Sequence, residues 1–414
     1  MIFNLYIWIL CFVSAFVSIL WLILNYYSNK YKKEISLLNN HPFVTVAVPA
    51  FNEQEVIAST LRSIFNQDYP KDKLEVIVVN DNSSDDTIKE INKFVKETNF
   101  NVKLINHNKN KGKGGALNTA LKIAKGEFFW VYDADSISSK DLLKNMVPYF
   151  YYPENKDVGA VVAITLIKNT GNWIEKMQVL EYVMAAFTRK LMGSADILHI
   201  TNALSLFRTK ILKEIKGFDE ENLTEDFEIA MRLRYNNYRI VMCEEGRFHT
   251  SVPKKIRSVW RQRVRWFRGF IYNNNKYKSM ILNKKFGLLG LFQIPLEIFI
   301  LLAVFFSIGL FFYHVYDLIY DFIYRLIIYR LGILDFDIPT IQQFILNLNW
   351  LIIFPTIVVL LLGLYLYHSA HKYVGEKWKF YIPSLLYLFV YPLFRSLQWI
   401  HAFALELIGA KRKW

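Results

Sequence analysis

The sequence predicts an α/β domain set between membrane-spanning helices, and three observations predict it. Long apolar blocks lie towards both ends, β-branched runs alternate with helical stretches between them, and carboxylates gather where those runs stop.

The apolar blocks explain a composition that is 53% hydrophobic and yet 21% charged. Ile2 to Tyr27 is almost continuously apolar, long enough to cross a bilayer. Lys30, Lys32 and Lys33 follow, with no small-residue cleavage site, so residues 1–28 are expected to be a signal anchor with the next segment in the cytoplasm. Gly287–Tyr313 and Trp350–Tyr367 each read as one further span. Phe380–Gly409 is apolar too, but Pro383, Pro392, Arg395 and Glu406 interrupt it. In residues 314–334, Asp317, Asp321, Arg325 and Arg330 recur at steps of about four, as in an amphipathic helix along the membrane surface; a poor extra span is the alternative. One span, a cytoplasmic domain and three more spans would leave Lys411–Trp414 outside, against the charge rule. Either the last segment is a broken helical hairpin or residues 314–334 cross. The expected division is 1–28 anchor, 41–250 cytoplasmic domain, 251–286 interfacial segment and 287–410 transmembrane and interfacial helices.

The net charge of +14 fits cytoplasmic loops beside anionic lipid, and the neighbouring spans argue against nucleic acid as a partner. Cys11 lies in an apolar run and Cys243 in the polar domain, so no disulfide is expected.

Within the domain, "FVTVAVPAF", "LEVIVVND", "KLINH" and "FFWVYDAD" read as strands, with helices expected over Glu53–Asn66, Ser84–Thr98 and Gly115–Ala124. Continuous apolar strands alternating with helices imply a parallel sheet, which binds ligands at the carboxyl ends of its strands. After the first strand, Glu53 is either a helix cap or, with the backbone near Ala50, a nucleotide contact. Asp81 stands at the second strand's tip, where it can accept a hydrogen bond from a uracil imide; Asp85 reads as the cap of the next helix. "NKNKGKGGALN" is a basic glycine-rich turn whose Lys113 and backbone N–H groups can approach phosphate oxygens, or simply a surface loop.

Asp133 and Asp135, two residues apart after "FFWVY", would face the same way on a strand and repel each other unless a cation such as Mg²⁺ or Mn²⁺ lies between them. His249, past the candidate strand "RIVMCEEGRFH", is a candidate third ligand. Glu225 and Asp226 open an amphipathic helix, where an acid is either a cap or a general base. "SVWRQRVRWFRGF" joins Arg257, Arg261, Arg263, Arg265 and Arg268 to Trp260, Trp266 and Phe267: guanidinium groups for phosphates and an indole face for a sugar, or a basic aromatic helix at the membrane surface.

Taken in this order, the motifs resemble the membrane-bound, processive family 2 glycosyltransferases, the synthases of cellulose, chitin, hyaluronan and poly-N-acetylglucosamine. "TED" at Thr224–Asp226 followed by "QRVRW" at Gln262–Trp266, downstream of a DxD, carries the resemblance, which covers about residues 1–410. It implies a GT-A-type nucleotide-sugar-binding domain, with Asp81 on the uracil, Asp133 and Asp135 on the nucleotide and its metal, and Asp226 as the catalytic base. Gln262, Arg265 and Trp266 would hold the diphosphate and the acceptor end, with Arg263 assisting. It implies further a UDP-sugar donor, a polysaccharide acceptor, a Mg or Mn cofactor, membrane lipid around the spans and, in some members, a small membrane subunit. The chain departs from the family where "GAVVAITLIKN" follows the DxD and where "TNALSLFR", with Asn202, replaces the acceptor-side "SG", so the polymer is unassigned. Transfer of one sugar to a lipid carrier is the rival activity, and an inactive sugar-nucleotide sensor the rival outside enzymes.

Overall fold

The computed structural model describes residues 2–31, 38, 40–98, 100–329, 348–376 and 382–411. They form two compact units, Met1–Lys30 with Pro295–Ser369, and Tyr31–Ile294 with Ala370–Trp414.

The first unit is helical. Among the described residues, three helices are long and apolar enough to cross a membrane: Phe3–Lys30, Leu289–Ile328 and Trp350–Val374. The chain is thus a membrane protein. Helix α1 (Ile2–Lys30) packs on α10 (Ile294–Tyr329), where the Tyr6 hydroxyl donates to the Ala303 carbonyl at 2.7 Å and Phe3 meets His314 edge-on. As far as Tyr329, the separate surface helix expected over 314–334 is instead the continuation of α10: no proline interrupts the run from Leu296 to Tyr329, so the helix carries Asp317, Asp321 and Arg325 without a break. Residues 330–334, Arg330 among them, lie outside the described residues.

The second unit is built on one eight-stranded sheet. Its strands are β1 (Val44–Ala50), β2 (Leu74–Asn80), β3 (Val102–Asn106), β4 (Phe128–Val131), β5 (Ile137–Ser138), β6 (Val158–Ile167), β7 (Leu206–Arg208) and β8 (Arg239–Thr250), in the order β3-β2-β1-β4-β7-β6-β8-β5. The first four pair in parallel, as their continuous apolar runs imply, with Ala50 beside Asn80 and Asn80 beside Asn106. The sheet as a whole is mixed, not parallel. The three-residue β7 runs antiparallel between β4 and β6, and β5 antiparallel on β8. Strands this short carry no periodicity from which a direction could be read.

Helices α2 (Ile57–Phe65), α3 (Thr87–Thr98) and α4 (Gly112–Ile123) connect the parallel strands, and the short α5 (Leu142–Met146) and α7 (Thr209–Glu214) follow β5 and β7. The buried core runs from Val46 and Val48 through Ile64, Phe128, Trp130 and Tyr132 to Phe150. Burying such side chains is worth about 1.5–3 kcal/mol each.

Helices α6 (Trp173–Ser194), α8 (Glu225–Tyr235) and α9 (Ile256–Lys276) complete the unit with the 382–407 segment. That last segment is an interrupted helix, Ile382–Leu385 and Tyr391–Leu407 around a wide turn, with Pro392 in the first turn of its second half. It packs on α9: Phe267 stacks on Trp399 at 4.0 Å, and the Arg268 Nε lies 2.6 Å from the Glu406 carboxylate.

Candidate active site

The parallel strands end together and their polar residues interlock. The Asp81 N–H donates to the Ala50 carbonyl at 2.8 Å, so that carbonyl is already engaged. Asp81 is buried, and its Oδ1 lies 2.7 Å from His107 Nδ1 and accepts from the Lys111 N–H at 2.9 Å. His107 Nε2 contacts the Thr119 hydroxyl at 2.9 Å. The loop entering α4 is therefore pinned to the second strand through one carboxylate. His107 escaped the sequence reading because a histidine after "KLIN" carries no motif.

Asp133 and Asp135 lie in the turn after β4 rather than on the strand, which ends at Val131. The turn closes when the Ser136 N–H donates to the Asp133 carbonyl at 3.1 Å. Lys113, from the second residue of α4, places its Nζ 2.7 Å from Asp133 Oδ1 and 3.2 Å from Glu225 Oε1. Burial would lower the lysine's pKa, but Asp133, Glu225 and Asp226 around it push it up. The acids feel the crowding in the other direction. Burial raises Asp133, opposed by Lys113 and reinforced by Asp135 and Asp226. Burial, opposed by Lys113, leaves Asp135 raised. Burial first, then Asp135, Asp133 and Asp85, push Glu53 up to about 7. The turn carrying Glu53 is held against α3, its N–H donating to the Thr87 hydroxyl at 2.8 Å. The glycines of the basic loop serve close packing inside α4: a β-carbon on Gly114 would meet the Asp219 carbonyl oxygen at 3.1 Å.

Glu225 and Asp226 form the first turn of α8 behind Thr224. Glu225 is buried and its pKa is raised, first by burial, with Lys113 opposing. Asp226 is half-buried; its Oδ1 accepts from the Phe227 N–H at 2.8 Å, and its backbone carbonyl accepts from the Thr201 hydroxyl at 2.6 Å. Glu225 and Asp226 line one small pocket with Lys113, Thr201 and Asn202. Asn202 does not offer its amide freely: Nδ2 donates to the Ala163 carbonyl at 2.7 Å and to the Thr165 hydroxyl at 3.2 Å.

Helix α9 is fastened to the residues before Asp226 along one stripe. Arg265, Gly269 and Asn273 are spaced four apart, so they share a face. Arg265 donates to the Leu223 carbonyl at 3.2 Å, and Asn273 exchanges hydrogen bonds with Asn222 and reaches Thr224 at 3.2 Å. Gln262, Arg265 and Trp266 are half-buried on α9, and Arg265 reaches the Asn222–Thr224 turn.

Two expected site residues stand elsewhere. His249 is exposed and registers with Ile137, while its neighbour Thr250 donates to Asp135 Oδ1 at 3.4 Å. Successive strand residues face opposite ways, so Thr250, not His249, turns to the aspartate. Among the described residues, no three His, Cys, Asp or Glu side chains are grouped as a metal-holding set. Arg263 is fully buried with its Nη2 2.6 Å from Glu181, so it is committed to α6 instead of assisting at a diphosphate.

Residues 45–216 match the family described as Glycosyl transferase family 2. A poly-beta-1,6-N-acetyl-D-glucosamine synthase of Staphylococcus epidermidis is 29% identical over 270 residues, 63% of this chain and 64% of the relative. One of Staphylococcus aureus is 28% identical over the same shares. The chain thus matches just under two thirds of the length of these relatives. Among solved structures, a mannosyltransferase from Pyrobaculum calidifontis in complex with GDP-Man and Mn²⁺ superposes with a TM-score of 0.52 at 27% identity, covering 66% of this chain and 75% of that one. The α/β unit is accordingly of the GT-A type, and its residues 45–216 are similar to glycosyltransferase family 2.

Proposed function

We propose that this protein transfers a sugar from a UDP-sugar to a growing polysaccharide, with inversion at the anomeric carbon. N-acetylglucosamine, the sugar in the relatives' names, is the first candidate. The carrying observation is Lys113, which stands between Asp133 of the strand-end turn and Glu225 of α8 and so joins the expected nucleotide side to the expected acid.

In this reading Asp81 meets the uracil, and Lys113 and Arg265 face the diphosphate. Glu225 is held by Lys113, which leaves the half-buried Asp226 to take the proton of an acceptor hydroxyl. That oxygen bonds to the anomeric carbon as the bond to the β-phosphate oxygen breaks, and the charge left on UDP is met by fixed cations. Trp266 offers an indole face to the acceptor sugar, with Gln262 beside it.

Asp133 and Asp135 suit a divalent ion: both are carboxylates, their mutual repulsion is only partly offset by Lys113, and their oxygen donors would match a hard cation. Mg²⁺ or Mn²⁺ held there would neutralise the leaving diphosphate. The relatives are named as polymer synthases, and the three apolar helices supply spans; a multi-pass protein with the domain on the cytoplasmic face, moving its product across the membrane, belongs to the same proposal.

The test is UDP release by the purified full chain with Mn²⁺ or Mg²⁺ and a panel of UDP-sugars, with product length read on a gel. Release from UDP-N-acetylglucosamine with products many sugars long is expected. No release from any donor would remove the reading. A single sugar on a lipid would replace it with carrier glycosylation.

A further inference from the structure

One half-buried carboxylate that the mechanism does not use sits where three helices meet. Glu181, in the middle of α6, accepts from Arg263 of α9 at 2.6 Å and from the Tyr391 hydroxyl at 2.8 Å, and its other oxygen lies 3.8 Å from Arg395 Nη1. Arg263 is 0% exposed and Glu181's side chain 13%, so water screens the pair little. Arg395 and Arg263 give two cations to one acid, and neutralising Glu181 would remove the carboxylate that both face.

Arg263 passes this order to the neighbouring motif. Its Nη1 donates to Gln262 Oε1 at 2.6 Å, and its guanidinium lies over the Trp266 ring at 4.1 Å. The first contact decides which end of the Gln262 carboxamide is turned inward: with the oxygen held by Arg263, the NH₂ group is the end left for a ligand, as a donor. The second contact fixes the plane of the Trp266 indole.

We propose that Glu181 is a positioning residue: through Arg263 it presents the Gln262 amide as a donor and sets the Trp266 face for the acceptor sugar, and through Tyr391 and Arg395 it ties that acceptor subsite to the Tyr391–Leu407 helix. The inference rests on the reading of this site as a sugar-transfer centre. Donor recognition is assigned to Asp81, Lys113, Asp133 and Asp135 and, on α9, to Arg265, whose guanidinium is anchored on the Leu223 carbonyl.

The experiment compares the full chain with Glu181→Gln, measuring UDP release into water without acceptor, transfer onto added oligosaccharide, and hydrogen exchange of peptides covering 260–268 and 391–407. Displacing the acceptor groups slightly is expected to lower kcat/KM for the acceptor by about tenfold to a hundredfold. Acceptor-free UDP release and the donor KM should stay near the wild-type values, products should shorten, and both peptides should exchange faster. Equal loss of hydrolysis and transfer, or no loss of either, overturns the proposal. If Glu181→Gln cannot be recovered folded, Tyr391→Phe removes one hydrogen bond, leaves the ion pair, and is expected to shift the same ratio less. Should the wild type use no donor, the reading of the site fails by itself; unchanged exchange of both peptides in Glu181→Gln would then overturn the tie between the helices.

Discussion

Gly269 passes so close to Thr224 that a β-carbon at position 269 would stand 2.1 Å from the threonine hydroxyl oxygen. Helix α9 reaches the Thr-Glu-Asp turn only because no side chain intervenes. Gly269→Ala is expected to push the two apart and cost about 1–3 kcal/mol, as overpacked contacts do. Unfolding of the detergent-purified protein followed by denaturant would show it, with transfer falling alongside. Unchanged stability and activity would mean that this contact is not what seats the helix.

Asp226 and Glu225 are neighbours with different surroundings, so their variants should separate. Asp226→Asn is expected to reduce transfer by about 10²–10⁴-fold, the range of a lost general base, with UDP-sugar affinity nearly unchanged. Glu225→Gln removes a partner of Lys113, 3.2 Å away, and should weaken donor binding more than it slows turnover. Normal turnover by the Asp226 variant removes the base assignment.

Glu53 gives a pH signature in a metal chelator. Its carboxyl is pushed from 4.5 up to about 7, by burial and by Asp135, Asp133 and Asp85. Between those values the folded protein holds a proton that the unfolded chain has released, so stability should fall as pH rises from 4.5 to 7. Glu53→Gln removes that slope. In melting curves taken in EDTA, the variant should gain on the wild type as pH climbs to 7 and match it near 4.5. Parallel curves would show that Glu53 is not buried among those acids.

His107 holds Asp81 Oδ1 at 2.7 Å inside the fold. With His107→Phe, the carboxylate keeps only the Lys111 N–H on that oxygen, and a buried acceptor that loses a partner costs about 1–3 kcal/mol. The donor KM should rise with it, because Asp81 and the loop before Lys113 lose their common anchor. Donor kinetics together with thermal unfolding test the two effects.

Much of the fold was legible because it repeats. The β-branched runs of β1, β2, β3 and β4 and the apolar stretches of α1 and α10 each span enough residues to show a period or a length. The two-residue β5 and three-residue β7 do not, and with them went the mixed direction of the sheet. The helix boundary assigned near Tyr313 failed for another reason. Asp317 and Asp321 change the polarity of α10 but nothing in its backbone, and polarity alone does not end a helix.

The order of Asp81, Asp133, Asp135, Thr224–Asp226 and Gln262–Trp266 carried the resemblance to sugar-transferring enzymes, since residue type and spacing lie in the sequence itself. The partners of those residues are fixed only by the folded chain, being distant along it: Lys113 with Glu225, Asp81 with His107, Arg263 with Glu181, and Thr250 in place of His249. Local sequence sets which groups a turn or strand end can offer. Which of them meet depends on how α6, α8 and α9 are brought onto the sheet, and that follows from burying the core as a whole.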